Sequence, residues 1–188
     1  LKDLPVEDMP FGLCLFEPDW HQGVIGILAS RLKERYHRPA IAFADAGNGL
    51  LKGSARSVSG LHIRDALDAV AATHPGLISK FGGHAMAAGL SLPQDNYDAF
   101  AAAFDAEVRR QLSADDLTGR LLCDGQLGGA EFYLDLAKAL RHAGPWGQHF
   151  PEPLFNGVFE IIQQRLVGEK HLKLVLKTQC GTRTLDAI

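Results

Sequence analysis

Cysteine is scarce in this chain of 188 residues: Cys14, Cys123 and Cys180 are odd in number and widely separated. No CxxC pair and no Cys/His spacing suited to tetrahedral zinc occurs, which excludes a disulfide-stapled scaffold and a zinc ribbon and leaves reduced, structural thiols. Long apolar runs are missing too. The stretch at 24–29 is far too short to cross a bilayer, and Leu1 opens no charged-then-apolar secretion signal, so a cytoplasmic protein without membrane contact is expected. Excess positive charge is also lacking. With a formal net charge of -3, any nucleic-acid partner has to be met by a local cluster of cations. Repeats and low-complexity tracts are absent.

What is present is a 46% hydrophobic composition, ample for one large or two small packed domains. The pattern changes character at the polar stretch SADDLT, residues 113–118, which places a domain boundary there and predicts domains at 1–112 and 113–188. Before it, strands and helices alternate. Residues 13–16 read as a short strand; residues 23–36 read as a helix, because Val24, Leu28, Leu32 and Tyr36 recur four apart. Residues 40–44 and 50–56 read as strands joined by Gly47-Asn48-Gly49, whose residues tolerate positive φ. A helix over 61–73 stops at His74-Pro75-Gly76, and another spans 95–112 with an acidic start and Arg109-Arg110 at its end. Beyond the boundary, strands are predicted at 117–123 and 171–177, a helix at 132–142, and an extended apolar segment at 153–167. In the strand at 171–177, Leu172, Leu174 and Leu176 alternate with His171, Lys173 and Lys177, giving a basic outer face. A last strand begins at 182 and stops at Ile188, so the chain reads as a fragment.

Three segments carry candidate chemistry. Trp20-His21-Gln22-Gly23 leads into the first long helix, where unpaired N–H groups and a missing side chain can seat a phosphate; close packing by Gly23 and Gly26, with His21 as a cap, is the commoner use of such a helix start. Ser54-Ala55-Arg56-Ser57 ends a strand with a guanidinium fork between two hydroxyls, a donor set that matches phosphate and also suits a surface arginine at a turn. Phe81-Gly82-Gly83-His84-Ala85-Met86 frees successive N–H groups to face an anion, or else marks a tight helix crossing with a buried histidine. It lacks the GK[ST] of a Walker loop and the GxGxxG of a dinucleotide fold. Arg31, Arg35 and Arg38 can extend a positive track, with a solvated helix face explaining Arg35 and Arg38. Asp65 and Asp68 read as a solvated face, because no histidine or third carboxylate is placed to complete a metal shell. The chain by itself reads as chemically incomplete.

Taken in order, WHQGVIGILASRL, RPAIAFA, KGSARS and FGGHAMAAG resemble the DHHA1 domain that follows the catalytic DHH domain in phosphoesterases. GPWGQHFPEPLF and the strands after it are similar to the OB-fold that follows DHHA1 in RecJ-type exonucleases. The resemblance implies an α/β DHHA1-type domain followed by a mainly β OB-fold-like domain that lacks its closing element. It implies a role in 5′ to 3′ hydrolysis of single-stranded DNA during repair and recombination. The Mn or Mg ions would be bound by a DHH domain whose Asp-His-His motif does not occur here. By the same resemblance Ser54, Arg56 and Ser57 would hold DNA phosphate, and Gly82, Gly83 and His84 would face the scissile phosphate, His84 as the catalytic residue. His21 and Arg31 would be further phosphate contacts. Trp146, Phe150 and Phe155 are candidate stacking platforms or core residues. Single-stranded DNA and DNA-repair proteins are the implied partners. Competing readings are a non-catalytic RNA- or tRNA-binding module like that of alanyl-tRNA synthetase, a small oligonucleotide or nucleotide phosphoesterase, and a protein-interaction role for the second domain.

Overall fold

The computed structural model describes residues 9–147, 150–179, 181 and 183–188. Cys180 and Thr182, and Gln148 and His149 of the GPWGQHFPEPLF stretch, lie outside the described residues. The chain divides into two compact units, Leu1–Gly119 and Arg120–Ile188.

The first unit is built on a five-stranded sheet of β1 (Leu13–Phe16), β2 (Ala40–Gly47), β3 (Leu50–Arg56), β4 (Lys80–Gly83) and β5 (Ala87–Pro93). Their spatial order is β1-β2-β3-β5-β4; β1 runs parallel to β2 and the other pairs are antiparallel. Helix α1 (Ile25–Tyr36) crosses one face, and α2 (Ile63–Thr73) and α3 (Tyr97–Gln111) contribute to the main core on the other. The alternation of β2, β3 and β5 makes this possible. Ile41, Phe43, Leu51, Ala55, Leu90 and Leu92 point to the α2/α3 side and are sealed in the core, where Phe43 meets Tyr97 and Phe100 edge to face at 5.6 and 5.7 Å.

The local signals act where the sequence places them. Gly47, Asn48 and Gly49 all take positive φ in the β2–β3 hairpin, and Gly76 does so after α2. Helix α1 ends on His37 in the left-handed region, two residues before Pro39. The Asp105 carboxylate on α3 accepts the N–H groups of Phe11 and Gly12 at 2.5 and 3.0 Å and the Arg109 Nε at 2.7 Å, tying the entry to β1 onto α3. Arg38 differs from the solvated side chain that its helical spacing predicts: it is buried, with its guanidinium 5.7 Å from the centre of the Phe11 ring.

The second unit holds α4 (Leu134–His142) and an antiparallel sheet of β6 (Phe159–Val167), β7 (His171–Thr178) and β8 (Thr184–Ala187). The strand predicted at 117–123 does not form. Residues Ala114–Leu117 instead make a 3-10 turn capped by Ser113, whose hydroxyl donates to Asp116 at 2.6 Å. Leu117 goes into the core of the first unit, while Leu121 and Leu122 stand exposed with no ladder partner among the described residues. An apolar run reads as a strand only where a neighbour completes its backbone hydrogen bonds.

Replacing Phe43 by alanine should lower the unfolding free energy of the first unit by about 3–5 kcal/mol. Urea denaturation followed by Trp20 fluorescence in a Trp146→Phe background checks this, and a loss below about 1 kcal/mol would show that the ring is not central to the core.

Candidate nucleic-acid interface

The end of β3 brings two of the singled-out residues, Ser54 and Arg56, together. Arg56 pairs in register with Ala40 of β2 and Ala87 of β5 and is partly buried. Its Nη1 donates to the Ser54 hydroxyl at 3.0 Å and to the Ala55 carbonyl at 2.9 Å. Those two bonds fix the plane of the guanidinium, and Nε and Nη2 have no acceptor among the described residues. Gly26 on α1 is what admits this side chain to the sheet face: a β-carbon there would stand 3.1 Å from Nη2 and 3.5 Å from the Ser54 Oγ. The glycine that reads as a packing residue in the sequence therefore makes room for the cation.

Gly82, Gly83 and His84 form the end of β4 and its turn into β5, so the segment is a β-hairpin and not a helix crossing. The His84 N–H donates to the Ala87 carbonyl at 2.8 Å, and Ala87 is the partner of Arg56. Arg56 and His84 accordingly lie at the same end of the sheet, and His84 is exposed. Gly83 has φ +149, and a β-carbon on it would fall 2.5 Å from the Ala87 carbonyl oxygen. Only glycine fits there. Gly82 has open space around it.

The other candidates stand apart from this pair in different ways. Ser57 is only 1% exposed, and its hydroxyl donates to the Leu61 carbonyl at 2.7 Å while its N–H donates to the Met86 carbonyl at 3.0 Å. It ties the loop after β3 to the hairpin turn instead of offering its hydroxyl to solvent. His21 is exposed in the turn before α1, where Nδ1 accepts the Gly23 N–H at 3.0 Å. Arg31 is exposed on α1, five residues after Gly26 and hence about 140° around the helix from the Arg56 side. The structure does not bring it to the pocket.

In the second unit the Trp146 and Phe150 rings lie 4.9 Å apart, and the Trp146 N–H donates to the Leu140 carbonyl at 3.0 Å. Phe150 and Phe155 are exposed. The predicted basic face of β7 is only partly free, because Lys173 lies 3.8 Å from Asp186 and Lys177 3.9 Å from Glu160. Asp65 and Asp68 are exposed on α2, and Asp65 lies beside His62 at 3.2 Å. Among the described residues no group of three His, Cys, Asp or Glu side chains is placed to hold a metal ion. Burial, reinforced by the charge of Asp105, pushes the Cys14 thiol far above its ordinary range, so it stays protonated and inert. No helix among the described residues is long and apolar enough to cross a membrane.

Sequence reading missed the residues that continue this surface. Lys52, Ser54 and Arg56 alternate along one strand, which is a legible period of two. Lys80 and Ser91 required the register of β4 and β5, which no local pattern supplies.

The profile of the DHHA1 domain matches residues 9–110, and that of the RecJ OB domain matches residues 123–188. Curated relatives named single-stranded-DNA-specific exonuclease RecJ are 56% identical over 182 residues in Dickeya dadantii and 54% identical over 182 residues in Escherichia coli. Each match covers 97% of this chain and 32% of the relative, so the chain spans about a third of their length. The crystal structure of RecJ in complex with Mg2+ from Thermus thermophilus is similar with a TM-score of 0.74 at 27% identity, over 95% of this chain and 26% of that one. These matches bear out the expected order of an α/β DHHA1-type domain followed by a mainly β OB-fold-like domain.

The two glycines of the turn should respond differently to a methyl group. Gly83→Ala is expected to destabilise the first unit by about 1–3 kcal/mol, whereas Gly82→Ala should leave its thermal midpoint nearly unchanged. Thermal unfolding of both variants by circular dichroism checks this; equal effects would show that the turn geometry is wrong.

Proposed function

This chain belongs to the DHHA1 domain family, and on that footing we propose that it is the strand-holding part of a 5′ to 3′ single-stranded-DNA exonuclease of repair and recombination. The observation that supports this most directly is the guanidinium of Arg56, fixed by Ser54 and the Ala55 carbonyl with Nε and Nη2 left over. A fork of that kind, half spent on its own strand and half free, matches the oxygens of a backbone phosphate. Gly82 and Gly83 bring the hairpin backbone to the same sheet end, and His84 presents an imidazole there that can donate to a non-bridging oxygen of the scissile phosphate. Ser57 acts one step back, holding the loop that carries Arg56 against the hairpin. His21 is a contact at the entry to α1, and Arg31 is a separate, more distant one on the other flank of that helix.

Crystal structures of the Thermus thermophilus relative are complexes with Mg2+ or Mn2+. The described residues of this chain offer no ligand set for such an ion. What these side chains supply is orientation of the strand and neutralisation of its charge, within a whole enzyme that uses Mn or Mg on its DHH domain. The match of residues 123–188 to the RecJ OB domain favours single-stranded DNA over structured RNA as the partner. DNA-repair proteins and a cytoplasmic location go with this reading, and the DHHA1 domain is assigned to the unit Leu1–Gly119 and the OB-fold-like domain to the unit Arg120–Ile188, because Leu117 of the polar stretch that marks the boundary in the sequence packs into the first unit's core.

Arg56→Ala should weaken binding of labelled single-stranded DNA by roughly ten- to a hundredfold, as loss of charge-assisted hydrogen bonds worth about 1.5–3 kcal/mol requires. Arg56→Lys should not restore it, because an ammonium cannot reproduce the planar fork. Fluorescence anisotropy of the 188-residue chain measures both. Unchanged affinity in Arg56→Ala, or a preference for transfer RNA over single-stranded DNA, overturns the reading.

A further inference from the structure

The sheet of the first unit is covered unequally. Helix α1 packs Ile25 and Ala29 on Ala42 and Ala44 of β2. On the same face, register carries each row outward across β3, β5 and β4: Ala42, Ser54, Gly89, Gly82 in one row and Ala44, Lys52, Ser91, Lys80 in the next. Beyond α1 those rows emerge as an open trough of about 410 Å3 lined by Lys52, Lys80, Gly82, Gly89 and Ser91. Lys52 and Lys80 are exposed, and neither has an ion-pair partner among the described residues.

The trough floor is unusual in what its glycines do. A β-carbon on Gly82 would meet nothing within 4 Å, and one on Gly89 would meet only the Gly53 carbonyl oxygen at 3.9 Å. Neither has a φ that a side chain would resist. Nothing in the packing of this unit asks for glycine at either position, so the space above them is open to something outside the fold. The two lysines set its charge. Lys52 stands four residues along β3 from Arg56, roughly 13 Å away on the same face, and Lys80 lies two strands from Lys52, roughly 10 Å across. A single strand seated at Arg56 is long enough to reach them with the next phosphates.

We propose that Lys52, Ser91 and Lys80 form a second phosphate-binding subsite, in which the sugar–phosphate backbone leaving Arg56 runs across Gly89 and Gly82 and is gripped by the two lysines. The subsite rests on the reading of Arg56 as a phosphate contact. It extends the grip from one phosphate to several and takes any base sequence, since lysines on a trough floor contact backbone charge and not base edges.

Binding of two 5′-phosphorylated probes to the 188-residue chain separates the two claims: a thymidine dinucleotide, which reaches only Arg56, and an oligothymidylate of about a dozen residues. Lys52→Ala/Lys80→Ala should weaken the longer probe about tenfold and flatten its log–log salt dependence by about 1.4, two single-strand contacts' worth, while leaving the dinucleotide within about twofold. Gly89→Val, which fills the trough without backbone strain, should also weaken only the longer probe. If Arg56→Ala weakens both probes but the lysine variant binds the longer one with unchanged affinity and salt slope, the subsite is wrong and the Arg56 pocket stands. Equal weakening of both probes by the lysine variant also overturns it, because that is a general field and not a track. If Arg56→Ala changes neither probe, or the unsubstituted chain binds neither, the underlying reading fails and the subsite with it.

Discussion

The structure depends on one strand serving two faces. In β3, Leu51 and Ala55 are drawn into the core beneath α2 and α3, and the residues between and after them, Lys52, Ser54 and Arg56, must then point the other way. A shift of one residue in the pairing of β3 with β2 or β5 would bury the cations and expose the apolar set. Register is therefore enforced by the hydrophobic effect on one side, and the placement of the polar residues on the other follows without any force of its own. The Gly47-Asn48-Gly49 hairpin fixes that register at one end, and the Ser57 hydrogen bonds to Leu61 and Met86 fix the chain at the other.

The second constraint is coverage. Two helices on one face give a continuous core, whereas α1 alone on the opposite face packs over β1, β2 and the adjacent part of β3 and leaves the rows on β5 and β4 bare. Bare sheet carrying valines or leucines would be an aggregation surface. Here it carries serine, glycine and lysine, which need no cover. Gly26 then lets α1 approach closely enough for its backbone to form one wall beside Arg56. The guanidinium is thus placed at the border between the covered and uncovered parts of the face, partly shielded from water, where an ionic contact is stronger than on an open surface.

Much of the first unit was legible in the sequence because its elements are signalled locally. The NG-type turn, the four-residue spacing of α1 and the His-Pro-Gly stop after α2 each correspond to an element within about two residues. The Gly82-Gly83-His84 turn was legible as a candidate site, but its hairpin geometry was not, since the pairing that makes it one is with Ala87 and Ala88 farther along the chain. Ser57 reads as a phosphate contact and Arg38 as a solvated side chain, and both lie buried, because burial is decided by what packs over a residue and not by its own polarity. The failed strand at 117–123 has the same origin: Leu117 is packed into the first unit's core, and Leu121 and Leu122 have no ladder partner among the described residues.

Charge shows the same dependence on neighbours. With a net charge of -3, counting cations cannot locate a surface for an anionic polymer. Pairing can. Arg109 and Arg110 are spent on Asp105 and Glu107 at 2.7 and 2.8 Å, and Lys173 and Lys177 each have a carboxylate within 4 Å. The last two contacts are long and open to water, so they lessen the local field without locking the side chains. Arg56 has only neutral oxygens for company, and no carboxylate is ion-paired with Lys52 or Lys80 among the described residues. A polyanion approaching the first unit therefore meets a field undiminished by internal partners along β3 and β4, and one already partly neutralised on β7. This internal pairing makes the strand bearing Arg56 the stronger of the two surfaces, and the partial burial of Arg56 lessens the screening of its charge by salt.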